Sequence, residues 1–525
     1  MRIQNLIESY GCAGYLKCLR RRYRTGRLTW PRFALTAARV YLEDNKPKRT
    51  RALLDTLDPN QLTIHEDDRY QDLLSRLAKP APLPGADCSV NMITKNESET
   101  IEAALDSADT VADEIVVCDT GSEDDTREKA RLYGTVIVRD EWRGDFSRAR
   151  NRAIDASTCA WILWMDADDR LEQASAEGLA AIWRSGPPQG VAVCVANRIK
   201  NAPPVQFLQV RLFPRRDDVR FERAIHEQIM FGLHRAGIPF TRCEHIRIVH
   251  TGYQDPREYR RKMRRNQELV ARELEKNPGD PALMLALADG YSSLRQTDEA
   301  VRAYKQLCES EAAFTQTPDA YIQAHVNIGT LEMARANLHE AKRYLYRSLY
   351  LDPKRLESFY YLGRLLLKEG NEEQAAGFFV RAAGPLPGLR MTASNNVMVR
   401  LESIYYLSEL LLKWQKHDEL QDLLASALDQ YPMVPRFYTQ LARSLFTQHR
   451  HKDAAAMFLR SIALCSQKND EAYCGAAEIF RLHGDLDAAG RYLHAALANG
   501  GNTRKIQPLI ARLRASRRAL VPICK

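Results

Sequence analysis

The stretch WILWMDADDRL, residues 161–171, runs from apolar residues straight into three carboxylates and an arginine: Asp166, Asp168, Asp169 and Arg170. An unbroken apolar run ending abruptly in polar residues suits a strand buried on both faces, the kind a parallel sheet carries. Ligands of open parallel sheets bind outside the carboxyl ends of the strands. The acids therefore stand where a ligand would be met.

Reading outward from that strand, the segments CSVNMIT, EIVVCD and TVIVRD precede it, alternating with the helical stretches SETIEAALDSA, DDTREKARLYG and SRARNRAIDAS. This spacing predicts βαβ units and a mostly parallel sheet within 86–256. The later segments GVAVCVANRI, FLQVRLFPRR and HIRIVHTGY read as strands of mixed direction covering one side of the site. Two earlier strand ends are also polar: Thr94-Lys95-Asn96-Glu97 and Asp119-Thr120-Gly121-Ser122.

Side chains alternate along an extended chain, so Asp166 and Asp168 are expected on one side. Two such carboxylates repel unless a cation or donors compensate. Hard oxygen ligands suit Mg2+ or Mn2+, which bridge protein carboxylates to a substrate's phosphates. Each residue also has a structural alternative. Asp168 or Asp169 caps a helix around 172–184, Asn96 and Ser98 cap the helix after the first strand, Arg150 pairs with Asp145, and Asp119 opens a turn.

Residues 1–79 carry helical periodicity, as in FALTAARVYLEDN and RTRALLDTL, and PAPLPG at 80–85 reads as a stiff linker. A basic connecting helix is expected over 257–280. Over 281–500 the text is helical and repeats: Gly329 and Gly363, Ala341 and Ala375, Leu345 and Phe379, and Pro353 and Pro387 each lie 34 residues apart. About six units begin near 281, 322, 356, 401, 435 and 469. That period is the tetratricopeptide signature, and stacked units form a solenoid. Residues 501–525 read as a helical cap or tail.

Hydrophobic residues make up 45% of the 525 and charged ones 27%, an ordinary globular balance. The net charge of +9 is moderate and gathers in LKCLRRRYRTGR and REYRRKMRRNQ, with no nucleic-acid module. Both runs read as solvated helix faces, with anionic lipid or an anionic substrate as the alternative partner. No nucleic acid and at most peripheral membrane contact is expected. With no signal peptide, no membrane span and eleven scattered cysteines, the expectation is a cytoplasmic protein with reduced thiols, peripheral at the inner membrane face if it meets lipid at all.

The lines MITKNESETIEAALDSA, DEIVVCDTGSEDDT, DFSRARNRAI and WILWMDADD resemble family 2 glycosyltransferases, in the branch of lipopolysaccharide-core glucosyltransferases and glycocin peptide glycosyltransferases. The resemblance covers roughly 86–265. It implies an α/β GT-A domain followed by an all-α tetratricopeptide solenoid, behind a small N-terminal helical region. It further implies a nucleotide-sugar donor (a UDP-sugar), a divalent cation, and inverting transfer to a hydroxyl or thiol.

By the same resemblance, Thr94, Asn96, Glu97 and Asp119 hold the base and ribose, and Arg150 and Asn151 lie near the nucleotide. Asp166 and Asp168 form the DxD pair, with Asp168 on the cation. The family most often reads DADE; Asp169 replaces that Glu and receives no role. His250 completes the metal or diphosphate site. Glu227 is the preferred general base and His226 the second choice. Arg261, Lys262 and Arg265 are candidates to neutralise a diphosphate.

For the repeats, the leading expectation is a peptide or protein acceptor, or a protein partner. The alternatives are a glycan or glycolipid acceptor with the repeats as scaffold, and a non-catalytic adaptor with a degenerate GT-A domain. Intact Asp119, Asp166, Asp168 and His250 speak against the adaptor.

Overall fold

The computed structural model describes residues 3–77, 87–199, 203–252 and 256–520. The expected linker at 80–85 lies outside them. The chain divides into two compact units, Met1–Leu331 with Pro387–Asn395, and Glu332–Leu386 with Asn396–Lys525.

The first unit opens with four helices, α1 (Ile3–Arg24), α2 (Trp30–Glu43), α3 (Pro47–Leu54) and α4 (Ile64–Leu77). The α/β region follows, as β1 (Cys88–Thr94), α5 (Ile101–Ala108), β2 (Glu114–Asp119), α6 (Thr126–Arg131), β3 (Val136–Arg139), α7 (Phe146–Ala156), β4 (Trp161–Asp166), β5 (Asp169–Leu171), α8 (Gln173–Ser185), β6 (Gly190–Asn197), β7 (Val205–Pro214), α9 (Met230–Arg235) and β8 (Phe240–His250).

One eight-stranded sheet runs in the order β3-β2-β1-β4-β7-β6-β8-β5. The first four strands are parallel, β7 is antiparallel to both β4 and β6, and β8 runs parallel to β6. This is the expected α/β sheet with its mixed-direction flank. Register sets the site. Thr94 lies opposite Asp119 and Ile93 opposite Asp166, so three strand ends share one edge. Asp169 lies opposite His250 across the β5–β8 pairing.

Both sheet faces are covered, which is why the central strands tolerate apolar residues at every position. On one face Ala149, Ala153 and Ile154 of α7 pack on Val116, Cys118, Ile162 and Trp164. On the other, the N-terminal helices merge with the sheet's own core: Leu16, Phe33, Tyr41 and Leu53 cluster with Ile101, Leu105, Ile115 and Tyr133.

That merger corrects the solvated reading for one N-terminal arginine, Arg20, while Arg21, Arg22, Arg24 and Arg27 stay exposed. Arg20 is buried and donates to Asp109 at 2.8 Å, Asp106 at 3.2 Å and the Tyr41 hydroxyl at 3.0 Å. Arg49, fully buried, pairs with the other Asp109 oxygen and donates to the Tyr41 hydroxyl at 2.7 Å, while Lys46 donates to the Asp109 carbonyl at 2.6 Å. Arg24 pairs with Glu102. One arginine of the charge run is a staple.

A 21-residue helix, α10 (Pro256–Lys276), follows the sheet. Then come α11 (Pro281–Ser293), α12 (Thr297–Glu309), the short α13 (Glu311–Gln316), α14 (Pro318–Ala334), α15 (Leu338–Leu351), α16 (Leu356–Lys368), α17 (Glu372–Ala382), α18 (Asn396–Lys413), α19 (His417–Gln430), α20 (Pro435–Thr447), α21 (His451–Leu464), α22 (Asp470–Leu482), α23 (Leu486–Ala498) and α24 (Thr503–Leu520). Within the first unit α11 and α12, and within the second α16 with α17, α18 with α19, α20 with α21 and α22 with α23, pack as the helix pairs of tetratricopeptide units. The repeat signature has a packing cause within the second unit. A Cβ on Gly363 would come within 2.8 Å of the Phe379 ring, and Ala341, Leu345, Ala375 and Phe379 are fully buried.

Residues 387–395 interrupt the series between α17 and α18 and belong to the first unit. Ser394 and Gln206 exchange backbone hydrogen bonds at 3.1 Å, and the Arg390 carbonyl accepts from the Leu208 N–H at 2.6 Å, extending the sheet beside β7.

Candidate active site

The strand edge opens into a cavity of about 630 Å³ in the first unit, within the range of small-molecule sites. Thr94, Asn96, Glu97, Arg150, Asp166, Asp168, His226, Glu227 and His250 all line it. Asp119 and Asn151 do not. Asp119 is 1% exposed and closes its own turn, accepting from the N–H groups of Gly121 and Ser122 and from the Thr94 hydroxyl. It braces Thr94 as the turn residue that its Asp-Thr-Gly-Ser context allowed. Asn151 spends its amide on Phe221, donating to the carbonyl and accepting from the N–H, both at 2.9 Å.

The first two loops lock together. Asn96, in the left-handed region at φ 56°, donates its N–H to Ser122 Oγ and accepts from the Glu123 N–H with Oδ1. The N–H groups of Glu97 and Ser98 reach Thr126 and Asp124. Asn96 and Ser98 thus tie loop to loop rather than cap a helix.

Across the cavity, residues 222–228 form a tight loop closed by reciprocal hydrogen bonds between Glu222 and Gln228. Arg223 and His226 hold positive φ, 75° and 50°, a strained conformation for non-glycine residues. The start of α7 clasps this loop: the Phe146 N–H donates to the Ala224 carbonyl and the Ser147 hydroxyl to the Arg223 carbonyl. Asp145 caps α7 through the Arg148 N–H and does not pair with Arg150.

The clasp brings Glu227 against Arg150, whose Nε donates to it at 2.8 Å while Nη2 donates to Asp166 at 2.7 Å. Arg150 is buried, and its guanidinium lies 4.0 Å from the Trp164 ring centroid. Arg211, inside β7, lies 3.7 Å from the same indole and reaches Asp169 at 2.9 Å and Asp166 at 3.8 Å.

β4 ends at Asp166, so simple alternation does not carry on to Asp168; a turn at Ala167 and Asp168 brings the acids together instead. Ligand atoms of Asp166, Asp168, Asp169 and His250 lie within 4.8 Å of one another, the one such group among the described residues. Neither Asp168 nor Asp169 caps α8, whose N-cap is Glu172.

Burial raises the Asp166 carboxyl, but Arg150, Arg211 and His250 outweigh it and hold the group far below the usual carboxylate range. Asp168 is pushed up to about 6: burial dominates, His250 opposes, and Asp166, Asp169 and Glu97 add to the rise. His250 goes up to about 9, because its hydrogen bond to Asp169 and the surrounding carboxylates overcome burial. Acidic charge at Asp168 is thus left under-compensated.

The residues fit a divalent cation. Carboxylate oxygens and an imidazole converge, and Gly252 lets Asp168 and His250 approach its backbone closely, since a Cβ there would overlap Asp168 Oδ2 and lie 3.1 Å from His250 Nε2. Arg261, Lys262 and Arg265 of α10 also line the cavity, so part of the basic run borders the site while Arg261 and Arg265 stay exposed. Trp142 and Phe146, in edge contact at 4.7 Å, form an aromatic wall with Ile225 and Met263.

Two roles went unread in the sequence. Asp169 received none, yet it is fully buried and bonded to His250, Arg211 and the Asp166 N–H. Arg211 was passed over, although a lone arginine among the apolar residues of FLQVRLF was a signal.

The α/β domain thus carries an acidic cluster at its strand ends in a cavity that cations also line. Residues 89–236 match the family described as Glycosyl transferase family 2, and they constitute a family 2 glycosyltransferase domain, here joined to tetratricopeptide repeats. A TPR repeat-containing protein of Synechococcus elongatus is 37% identical over 27% of this chain and 36% of its own length. The SPbeta prophage-derived glycosyltransferase SunS of Bacillus subtilis is 28% identical over 62% of this chain and 78% of its own. The chain thus spans about a third of the first relative and over three quarters of the second. A solved tetratricopeptide repeat protein of Parabacteroides merdae is 17% identical over 49% of this chain and 94% of its own, with a TM-score of 0.34. No described helix is long and apolar enough to cross a membrane.

Proposed function

We propose that the protein moves a sugar from a nucleotide-sugar donor, a UDP-hexose, to a hydroxyl or thiol acceptor with inversion at the anomeric carbon. One observation carries this reading: Asp166, Asp168, Glu227 and His250 meet three cations of α10 in a single cavity. Asp168 and His250 would hold Mg2+ or Mn2+, which when bound neutralises the departing diphosphate. Arg261, Lys262 and Arg265 grip the diphosphate from the opposite wall, arginine supplying a bidentate fork.

Thr94, Asn96 and Glu97 bind the base and ribose, with Asp119 bracing Thr94. Arg150 orients the donor side by holding Asp166 and the acceptor side by holding Glu227. Glu227 takes the acceptor's proton as general base; His226, exposed on the rim, is the second candidate. The repeats hold a peptide or protein acceptor, whose remote binding energy assists the reaction. An adaptor without chemistry is disfavoured, because buried, under-compensated acid at Asp168 is a cost that a mere scaffold has no reason to keep.

The test is Glu227→Gln assayed with a panel of UDP-sugars and Mn2+, products being read by mass spectrometry. Loss of roughly 10²–10⁴-fold in transfer, with donor binding retained, is expected for a general base. Near-normal transfer removes Glu227 from the role, and absence of any UDP-sugar turnover by the unmodified protein overturns the enzymatic reading.

A further inference from the structure

Asp169 looks like a fourth member of the acidic cluster, but its environment gives it a different task. Its side chain is fully buried and both oxygens are committed. Oδ2 accepts from the Asp166 N–H at 2.8 Å and from Arg211 Nη1 at 2.9 Å, while Oδ1 lies 2.9 Å from His250 Nδ1. These three contacts fill most of a carboxylate's roughly four lone-pair sites and fix its orientation inside the fold.

The chemistry of the His250 contact assigns one nitrogen. A carboxylate only accepts hydrogen bonds, so Nδ1 keeps a proton against Asp169, and Nε2 is the nitrogen that would give up its proton and turn a lone pair to a cation. Nε2 and Asp168 Oδ2 both lie beside Gly252, close to where a Cβ would stand. Nδ1 also lies 3.3 Å from Asp168 Oδ1, a longer contact than its 2.9 Å to Asp169, so Asp169 is the nearer acceptor that holds the Nδ1 proton. Arg211 holds Asp169 in place: it is buried mid-sheet on β7, rests on the Trp164 indole, and leaves its own Nε without a hydrogen-bond partner. A buried pair with an unsatisfied donor is a poor stability device, since apolar residues of similar volume serve stability as well or better.

We infer that Asp169 and Arg211 are positioning residues, Asp169 orienting His250 and the Asp166 backbone and Arg211 fixing Asp169, so that cation binding falls to Asp168 and His250. The inference rests on the proposed cation site, and the variants below separate the two.

Mn2+ binding to the full-length protein, without donor or acceptor, is followed by electron paramagnetic resonance of the free ion. Asp169→Asn keeps the size but offers His250 a group that can also donate, and affinity should fall roughly 10–100-fold, as for partners that orient a metal-binding histidine. Asp169→Glu, which restores a carboxylate, should recover most of the loss. Arg211→Gln should weaken binding in the same direction.

Wild-type affinity in Asp169→Asn, or no recovery in Asp169→Glu, overturns the positioning role and leaves the cation site standing. Wild-type affinity in Asp168→Asn overturns the cation site itself. Should Asp169→Asn fail to fold, nitrogen-15 NMR of His250 in the Mg2+-loaded wild type decides: a proton on Nδ1 supports the inference, and a proton on Nε2 overturns it.

Discussion

Two acid–arginine knots lie in the same compact unit, and they are built to opposite ends. At the N-terminal knot, Asp109 is gripped by Arg20 and Arg49, with Lys46 on its carbonyl. Arg20 also pairs with Asp106 and Lys46 with Asp44, so cations and acids balance, and the Asp109 carboxylate has no need of a ligand. At the strand edge, Asp166, Asp168, Asp169 and Glu227 share Arg150, Arg211 and the His250 imidazole. Acid is in surplus, and it settles on Asp168, whose carboxyl rises to about 6. Burial and arginine pairing are common to both. What separates a staple from a site is whether charge is left over.

The largest expected effect tests the staple. Asp109→Asn leaves two buried guanidiniums under-compensated and should cost roughly 3–5 kcal/mol of stability by chemical denaturation. It should also change the acid limb. Burial pushes the Asp109 carboxyl up, but Arg49, Arg20 and Lys46 hold it far below the usual range. Unfolded, the group binds its proton near about 3.9. Its contribution is therefore complete above about pH 5 and is lost as pH falls below that value, because the unfolded chain takes up the proton first. Denaturation curves from pH 6 to 3 should steepen for the wild type and lose that part of the slope in Asp109→Asn. An unchanged slope breaks the contrast from the staple's side.

The next effect tests the site, and its sign on stability is reversed. Asp168→Asn removes a buried charge that the fold leaves under-compensated, so the metal-free protein should unfold at the same temperature or higher. Transfer from the nucleotide sugar should fall roughly 10²–10³-fold, the scale of losing one electrostatic stabiliser of a developing charge. A large loss of stability would put Asp168 with Asp109 and end the distinction.

The two knots also differ in how far the sequence disclosed them. Strand and helix order was readable because period-based patterns are local, and the DxD acids sit in eleven consecutive residues. Arg20 and Arg49 were not readable as staples, since their partner Asp109 lies 89 and 60 residues away. Nothing local tells a buried arginine from a solvated one. Residues 387–395 were hidden for the same reason, their partner Gln206 being 188 residues from Ser394. Asp119 and Asn151 illustrate the opposite limit. Resemblance named them for the nucleotide, but their polar atoms are spent on turn closure and on Phe221, which only coordinates reveal.

The smallest effect sharpens the comparison at one atom. Gly252 has no side chain where a Cβ would overlap Asp168 Oδ2, and the overlapped atom is the free end of a side chain rather than backbone. In Gly252→Ala the carboxylate can rotate aside, so stability should change by no more than about 0.5 kcal/mol, the usual range for substitutions away from a tight core. Rotation, however, moves the oxygen that faces His250, and a carboxylate displaced from its cation should lose about tenfold in Mn2+ affinity, as for perturbed supporting groups. Calorimetric titration reads the affinity and thermal melting reads the fold. A tenfold loss without a melting shift locates the surplus acid at a cation site; a melting shift without loss of affinity makes Gly252 a packing glycine and returns Asp168 to the fold.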